Sequence, residues 1–212
     1  MSDYLCANWQ GLLQMVVYLA SRGYYYHKVV TYPEKKRGKW LEIDKKMITT
    51  YKCAKSKYQR ARMKKRGEAR IMFLRYESTA VIIRSDGALP VGLTCADFSD
   101  IRERYAQIPV SDRIAFFIYI DRETRKASAR LTRESYLRLK TEIEETCREG
   151  KIYRIRNIIE RLNGLPAWHG IHEQKVNLAE LAVKWAKRAG KPVRYSQMTI
   201  RTRREVHKVF AE

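Results

Sequence analysis

Residues 35–70 hold fifteen basic residues and only three acidic ones. A segment with this much positive charge cannot be buried in a core, because an unpaired charge loses its hydration there. An ordinary helix surface mixes both signs of charge, since neighbouring opposite charges limit repulsion and support the helix. We therefore expect this segment to lie on the surface, where an anionic partner would relieve its repulsion.

The rest of the chain does not balance this charge. The sequence of 212 residues has 44 Lys and Arg against 23 Asp and Glu, a formal net charge of +21 at pH 7. A polyanion is the commonest partner of such a surface, and each phosphate that a Lys or Arg neutralises releases condensed cations. The charge therefore favours a protein that binds the phosphate backbone of nucleic acid.

The apolar pattern predicts an α+β fold, in which an N-terminal mixed sheet with flanking helices precedes a helical C-terminal region. Helices are indicated over 9–20, 39–51 and 56–66, and strands over 24–32, 70–76, 80–84, 114–120 and 126–131. Helices follow from Thr132 onward, and Asn177 with Glu180 resembles a capping box at the start of the last one. We expect a basic α+β region at 1–131 and a helical basic region at 132–212, which can share one core.

The strand-helix-strand-strand order over 24–84 resembles that of small RNA-binding sheets such as RRM-like folds. Those folds carry a Lys/Arg-Gly-Phe/Tyr signature on a central strand, and this sequence lacks it. The resemblance is one of architecture and implies no function by itself.

Two groups of basic residues are candidates for phosphate contacts. They are Lys35, Lys36, Arg37, Lys39, Lys52, Lys55, Lys57, Arg60, Arg62, Lys64, Lys65, Arg66 and Arg70 in the first group, and Arg201, Arg203 and Arg204 in the second. Rings among such cations can stack on unpaired bases. The candidate rings are Tyr24, Tyr26, Tyr58 and Tyr76. Because alternate strand residues face the core, burial is the competing expectation for each strand ring.

Three functions remain open on these residues. The leading hypothesis is a non-enzymatic protein that binds structured RNA, or DNA, as a ribonucleoprotein or mobile-element component, with a larger nucleoprotein assembly left open. The second is a metal-independent endoribonuclease in which His27 acts as general acid or base. The third is a structural subunit whose basic surface binds an acidic protein.

The chemistry-bearing residues predict no cofactor and no metal. Four cysteines lack the paired spacing of zinc ligands: Cys6, Cys53, Cys95 and Cys147. His169 and His172 lie three apart without an evident third ligand, and no Gly-rich phosphate loop occurs. The apolar stretch at 12–20 is shorter than the roughly 20 residues of a spanning helix, so we expect no membrane partner. Scattered cysteines are typical of reduced thiols, which favours the cytoplasm.

Overall fold

The structure is a computed structural model that describes residues 4–164, 168–194, 200 and 208–211. Its mixture of helices and antiparallel strands confirms the predicted α+β class, with a helical C-terminal region. Two compact units are present. The first comprises residues 4–110, 118–127 and 208–211, and the second comprises 111–117, 128–164, 168–194 and 200. The phosphate-binding candidates Arg201, Arg203 and Arg204 lie outside the described residues.

The N-terminal half is built on a four-stranded antiparallel sheet. Its elements are α1 (Trp9–Ser21), β1 (Tyr26–Thr31), α2 (Trp40–Thr50), α3 (Lys57–Lys65), β2 (Ile71–Tyr76), β3 (Thr79–Arg84) and β4 (Ser99–Asp100). The strand order is β2-β3-β1-β4. A second sheet has the order β5-β6-β7, formed by β5 (Ala106–Pro109), β6 (Ala115–Ile120) and β7 (Ala127–Leu131).

Strand β3 lies between β1 and β2 and is antiparallel to both. Strands β1 and β2 are therefore parallel to each other, and the chain between them crosses over through α2 and α3. This is the strand-helix-strand-strand order that the sequence predicts. A two-residue turn at Glu77 and Ser78 joins β2 to β3, with Glu77 in the left-handed region at φ 46°.

Both faces of the sheet are covered at β3. On one face, Trp40 of α2 and Tyr51, which directly follows α2, belong to the same buried cluster as Phe73 and Ile82. On the opposite face, Val81 is also fully buried, and all six residues of β3 are buried. Helix α1 contacts β2, and β5 contacts β1. The central strand therefore offers no open platform for bases, in contrast to the RNA-binding sheets that the strand order resembles.

A buried ion pair joins α2 to β2. The Asp44 carboxylate is fully buried and accepts hydrogen bonds from Nε of Arg75, at 2.9 Å to each carboxylate oxygen. The Tyr32 hydroxyl donates to the same carboxylate at 3.1 Å, and the Arg75 guanidinium also donates to the Glu77 carbonyl at 2.8 Å. Burial, and then the charge of Asp44, raises the pKa of Tyr32. Asp44 is thus engaged inside the protein and does not offset the positive charge at the surface.

The second unit contains a group of helices: α4 (Arg133–Arg148), α5 (Ile152–Asn163) and α6 (His169–Arg188). Thr132 caps α4, as the sequence predicts, by accepting a hydrogen bond from the Ser135 N–H. The expectation that the last helix begins near Asn177 is wrong, because α6 begins eight residues earlier and Asn177 lies within it. Within the described chain, no helix has both the length and the apolar composition needed to cross a bilayer.

Replacing Asp44 with alanine should lower the free energy of unfolding by about 3–5 kcal/mol, because Arg75 would remain buried without its anion. Glu42→Ala on the same helix is the matched control. Its side chain is exposed, and we expect a change of about 0.5 kcal/mol or less. Urea unfolding of both variants measures the difference, and equal losses would contradict the structural role of the ion pair.

Candidate nucleic-acid interface

Helix α3 forms because both of its ends are well capped. At the start, the Gln59 N–H donates to Oγ of Ser56 at 3.2 Å, and the Ser56 N–H donates to the Gln59 side chain at 2.8 Å. At the end, Gly67 adopts a left-handed φ of 71°, and the Glu68 N–H donates to the Met63 carbonyl at 3.0 Å. These caps satisfy terminal backbone groups that the helix cannot satisfy internally.

The side chains of α3 face solvent almost entirely. Of its nine residues, Met63 is the one that is buried. Five are basic and none is acidic: Lys57, Arg60, Arg62, Lys64 and Lys65. Three of these basic residues lie in the last turn, where the negative end of the helix dipole favours positive charge.

A small groove of about 490 Å³ lies between α3 and the loop at 86–91. Four basic residues line it over an apolar floor that includes Met63 and Pro90: Lys52, Lys55, Arg62 and Arg66. Glu68 also lines this groove, and its carboxylate pairs with Arg66 at 2.8 Å. The small groove thus combines aliphatic surface with an excess of positive charge.

Backbone contacts fix the wall of the small groove. The Ala88 N–H donates to the Gly67 carbonyl at 2.8 Å, and the Ala69 N–H donates to the Ala88 carbonyl at 2.9 Å. Gly87 permits this approach, because a Cβ at its position would lie 2.6 Å from the Gly67 oxygen. The loop is therefore attached to the end of α3 by its main chain.

A large groove of about 860 Å³ lies on the other side of α3. Its basic lining residues are Arg22, Lys55, Lys57, Arg60 and Arg70. Its rings include Tyr18 and Tyr24, and no carboxylate lines it among the residues that the structure describes. The guanidinium of Arg70 lies 4.7 Å from the centroid of the Tyr24 ring, and that of Arg22 lies 5.3 Å from the Tyr18 ring.

Eight basic residues in 52–70 have no carboxylate within 4.0 Å in the described part of the chain. We call them the α3 surface: Lys52, Lys55, Lys57, Arg60, Arg62, Lys64, Lys65 and Arg70. Two of them are held by backbone oxygens. Lys52 donates to the Val91 carbonyl at 3.1 Å, and Arg60 donates to the Lys55 carbonyl. These contacts orient the side chains without neutralising them.

The structure separates Lys35, Lys36, Arg37 and Lys39 from the α3 surface. They lie in a 3₁₀ turn, Glu34–Lys39, before the first residue of α2, whereas Lys52 follows its last turn. The eleven residues of α2 span about 16 Å. Arg37 also pairs with Glu34 at 3.1 Å and with Glu77 at 3.3 Å. The predicted cluster is therefore two groups near opposite ends of one helix.

The four candidate stacking rings differ in how much surface they offer. Tyr58 on α3 is 80% exposed, whereas Tyr24 is 5% exposed beneath Arg70. Tyr26 lies partly buried with the Arg84 guanidinium 3.8 Å from its ring centroid, and its hydroxyl accepts a hydrogen bond from Arg102. Tyr76 is at the end of β2 remote from α3. Of these rings, Tyr58 is the most accessible beside the α3 surface.

Sequence reasoning missed Tyr18 and Arg22. Tyr18 is 51% exposed and lies in the large groove, as does Arg22. A signal was present, since Tyr18 falls outside the apolar stripe of Leu12, Val16 and Ala20, and Arg22 follows it at a spacing of four. That spacing places Arg22, which directly follows α1, next to the exposed Tyr18 ring.

His27 is 7% exposed, and burial lowers its pKa to about 4, although a hydrogen bond with the Ser99 backbone acts in the opposite direction. General acid-base catalysis requires the imidazole to reach the reacting atoms. The burial of His27 leaves little of its ring for a substrate. Among the described residues, no group of three or more His, Cys, Asp or Glu side chains is placed to hold a metal ion.

The burial of His27 should make stability depend on pH. Its pKa is about 4 in the folded state and about 6.5 in an unfolded chain, so the unfolded chain takes up the proton first as pH falls. Its stabilising contribution is full above pH 6.5 and decreases toward pH 4. Between pH 7 and pH 5, the wild type should lose about 2 kcal/mol more unfolding free energy than His27→Gln. Identical pH profiles in urea unfolding would show that His27 titrates normally.

The left-handed backbone conformation of Lys52 should be strained. Its φ is 52°, at a helix end where the Cys53 N–H donates to the Ile48 carbonyl, a position that usually holds glycine. Lys52→Gly should raise the free energy of unfolding by about 0.5 kcal/mol, since strain is relieved but backbone entropy is lost. The backbone of Lys55 is not left-handed, so Lys55→Gly should lower the free energy of unfolding by about 0.5–1 kcal/mol. Thermal unfolding tests whether the two changes have opposite signs.

Comparisons of the chain with protein-family models, with curated proteins and with solved structures find no match. A function is therefore inferred from the α3 surface and the two grooves beside it.

Proposed function

We propose that this protein binds nucleic acid, with RNA favoured over DNA, through the α3 surface, and that it does so without catalysing a reaction. One observation supports this most strongly: eight basic residues without carboxylate partners, among the described residues, surround a helix with one buried side chain. Such a surface repels itself unless an anion is bound.

The phosphate backbone relieves this repulsion at several points at once. Contacts from the exposed face of α3 and from both grooves can follow a chain of regularly spaced phosphates. Each neutralised phosphate releases condensed cations, a gain that does not depend on base sequence. We therefore expect affinity to be strongly dependent on salt and broadly tolerant of sequence.

The preference for RNA is supported by accessible rings and not by the sheet. The central strand of the sheet is covered on both faces, but Tyr58 and Tyr18 remain exposed beside the basic residues. Unpaired bases in RNA loops and ends commonly stack on such rings. A cytoplasmic location is part of the proposal, because the four cysteines are free thiols and three of them are buried.

The direct test compares two variants that each lose five positive charges. In the first, Lys57, Arg60, Arg62, Lys64 and Lys65 become Gln; in the second, Lys35, Lys36, Lys39, Lys45 and Lys46 become Gln. Binding to an RNA hairpin and to duplex DNA is measured from 50 to 200 mM salt. If six phosphates are contacted, wild-type affinity for a duplex should fall by about 10³ over this range.

The first variant should flatten the salt dependence, with the slope of log affinity against log salt decreasing by about 0.9 for each duplex phosphate that the variant no longer neutralises. The second variant should keep most of the wild-type slope. Equal effects of the two would contradict a specific α3 surface. Failure of the wild type to bind any nucleic acid would overturn the proposal and favour an acidic protein as the partner.

A further inference from the structure

We infer that the large groove binds unpaired nucleotides beside a duplex, so that the preferred ligand is RNA in which a paired stem continues into a single strand. This inference rests on the proposed function and specifies its ligand. The evidence for it is the difference in side chains between the two grooves that flank α3.

The small groove offers cations and aliphatic surface, whereas the large groove offers cations and rings. In the large groove, Tyr18 is 51% exposed, and Arg22 lies 5.3 Å from its ring centroid. A nucleotide presents a base with a flat face and a phosphate with a negative charge. An exposed ring with a cation beside it matches both parts.

The floor of the large groove adds apolar area below these groups. Met15, Met72 and Phe73 line it together with the rings. Only an unpaired base can use such a floor, because the base faces in a duplex are stacked on one another and are not exposed. A duplex bound over the large groove would contact its rim through phosphates alone.

Helix α3 separates the two grooves, and its cations are divided between them. Lys57 and Arg60 face the large groove, while Arg62 faces the small groove. Arg60 is held in place by its hydrogen bond to the Lys55 carbonyl, and Lys55 lines both grooves. A strand that passes over α3 therefore meets the cations and the exposed Tyr58 of α3 first, and then Tyr18 in the large groove.

The experiment uses three RNAs: a blunt hairpin, the same hairpin with a single-stranded tail, and the tail alone. The wild type should bind the tailed hairpin about tenfold more tightly than the blunt one, as expected for one stacked base. Tyr18→Ala should abolish that difference by lowering affinity for the tailed hairpin to that for the blunt one. Tyr18→Phe keeps the ring and should retain the difference.

Tyr153→Ala is the matched control, because Tyr153 is 66% exposed and lies in α5 of the second unit. It should leave the effect of the tail intact. If the wild type binds both hairpins equally, or if Tyr18→Ala retains the effect of the tail, the inference is overturned while salt-dependent hairpin binding still supports the proposed function. If none of the RNAs binds, the proposed function fails and the inference fails with it.

Discussion

Mutual repulsion among the basic residues of 52–70 is the constraint on which the rest of this region depends. Nine Lys and Arg residues share this segment with one Glu, so charge pairing cannot hold it in place. The backbone does so instead. The capping box at Ser56, the left-handed Gly67 and the main-chain bonds that join Ala88 to Gly67 and Ala69 stabilise the segment without neutralising its side chains.

In the interior of the first unit, by contrast, a buried charge is paired with an opposite charge. The one carboxylate at the centre of α2, Asp44, is buried against Arg75 and receives the Tyr32 hydroxyl. This network fastens the crossover to β2 and pairs the Asp44 carboxylate inside the protein. Acidic residues are few in this part of the chain. Because Asp44 pairs with Arg75 in the core, the core is neutralised while the α3 surface keeps its positive charge.

Much of the fold followed from the period of apolar residues, and much of the site did not. Strands β1 to β3 were predictable from runs of aromatic and β-branched residues, helix α2 from the apolar spacing of Trp40, Ile43 and Met47, and helix α3 from the Gly67 that closes it. The start of α6 was not, because Asn177 and Glu180 fit a capping box equally well on the exposed face of a continuous helix, where Ile171, Leu178 and Ala182 continue the buried stripe. A short motif cannot distinguish a helix start from a helix interior.

The candidate site shows the same limit. Sequence charge located the basic segment, but only the length of α2 separates Lys35–Lys39 from Lys52, and only tertiary packing brings Tyr18 and Arg22 to the large groove. Burial of His27 and Tyr24 likewise depends on neighbours that are distant in sequence. Side-chain exposure, which decides between a binding ring and a core ring, is a property of the fold and not of local composition.

Ultraviolet crosslinking of bound RNA, followed by mass spectrometry of the crosslinked peptides, tests binding through the α3 surface most directly. We expect crosslinks concentrated in the peptides that contain 52–70, with a further crosslink at Tyr18 when the RNA carries an unpaired tail. Crosslinks confined to α4, α5 and α6, with none in 52–70, would contradict binding through this surface.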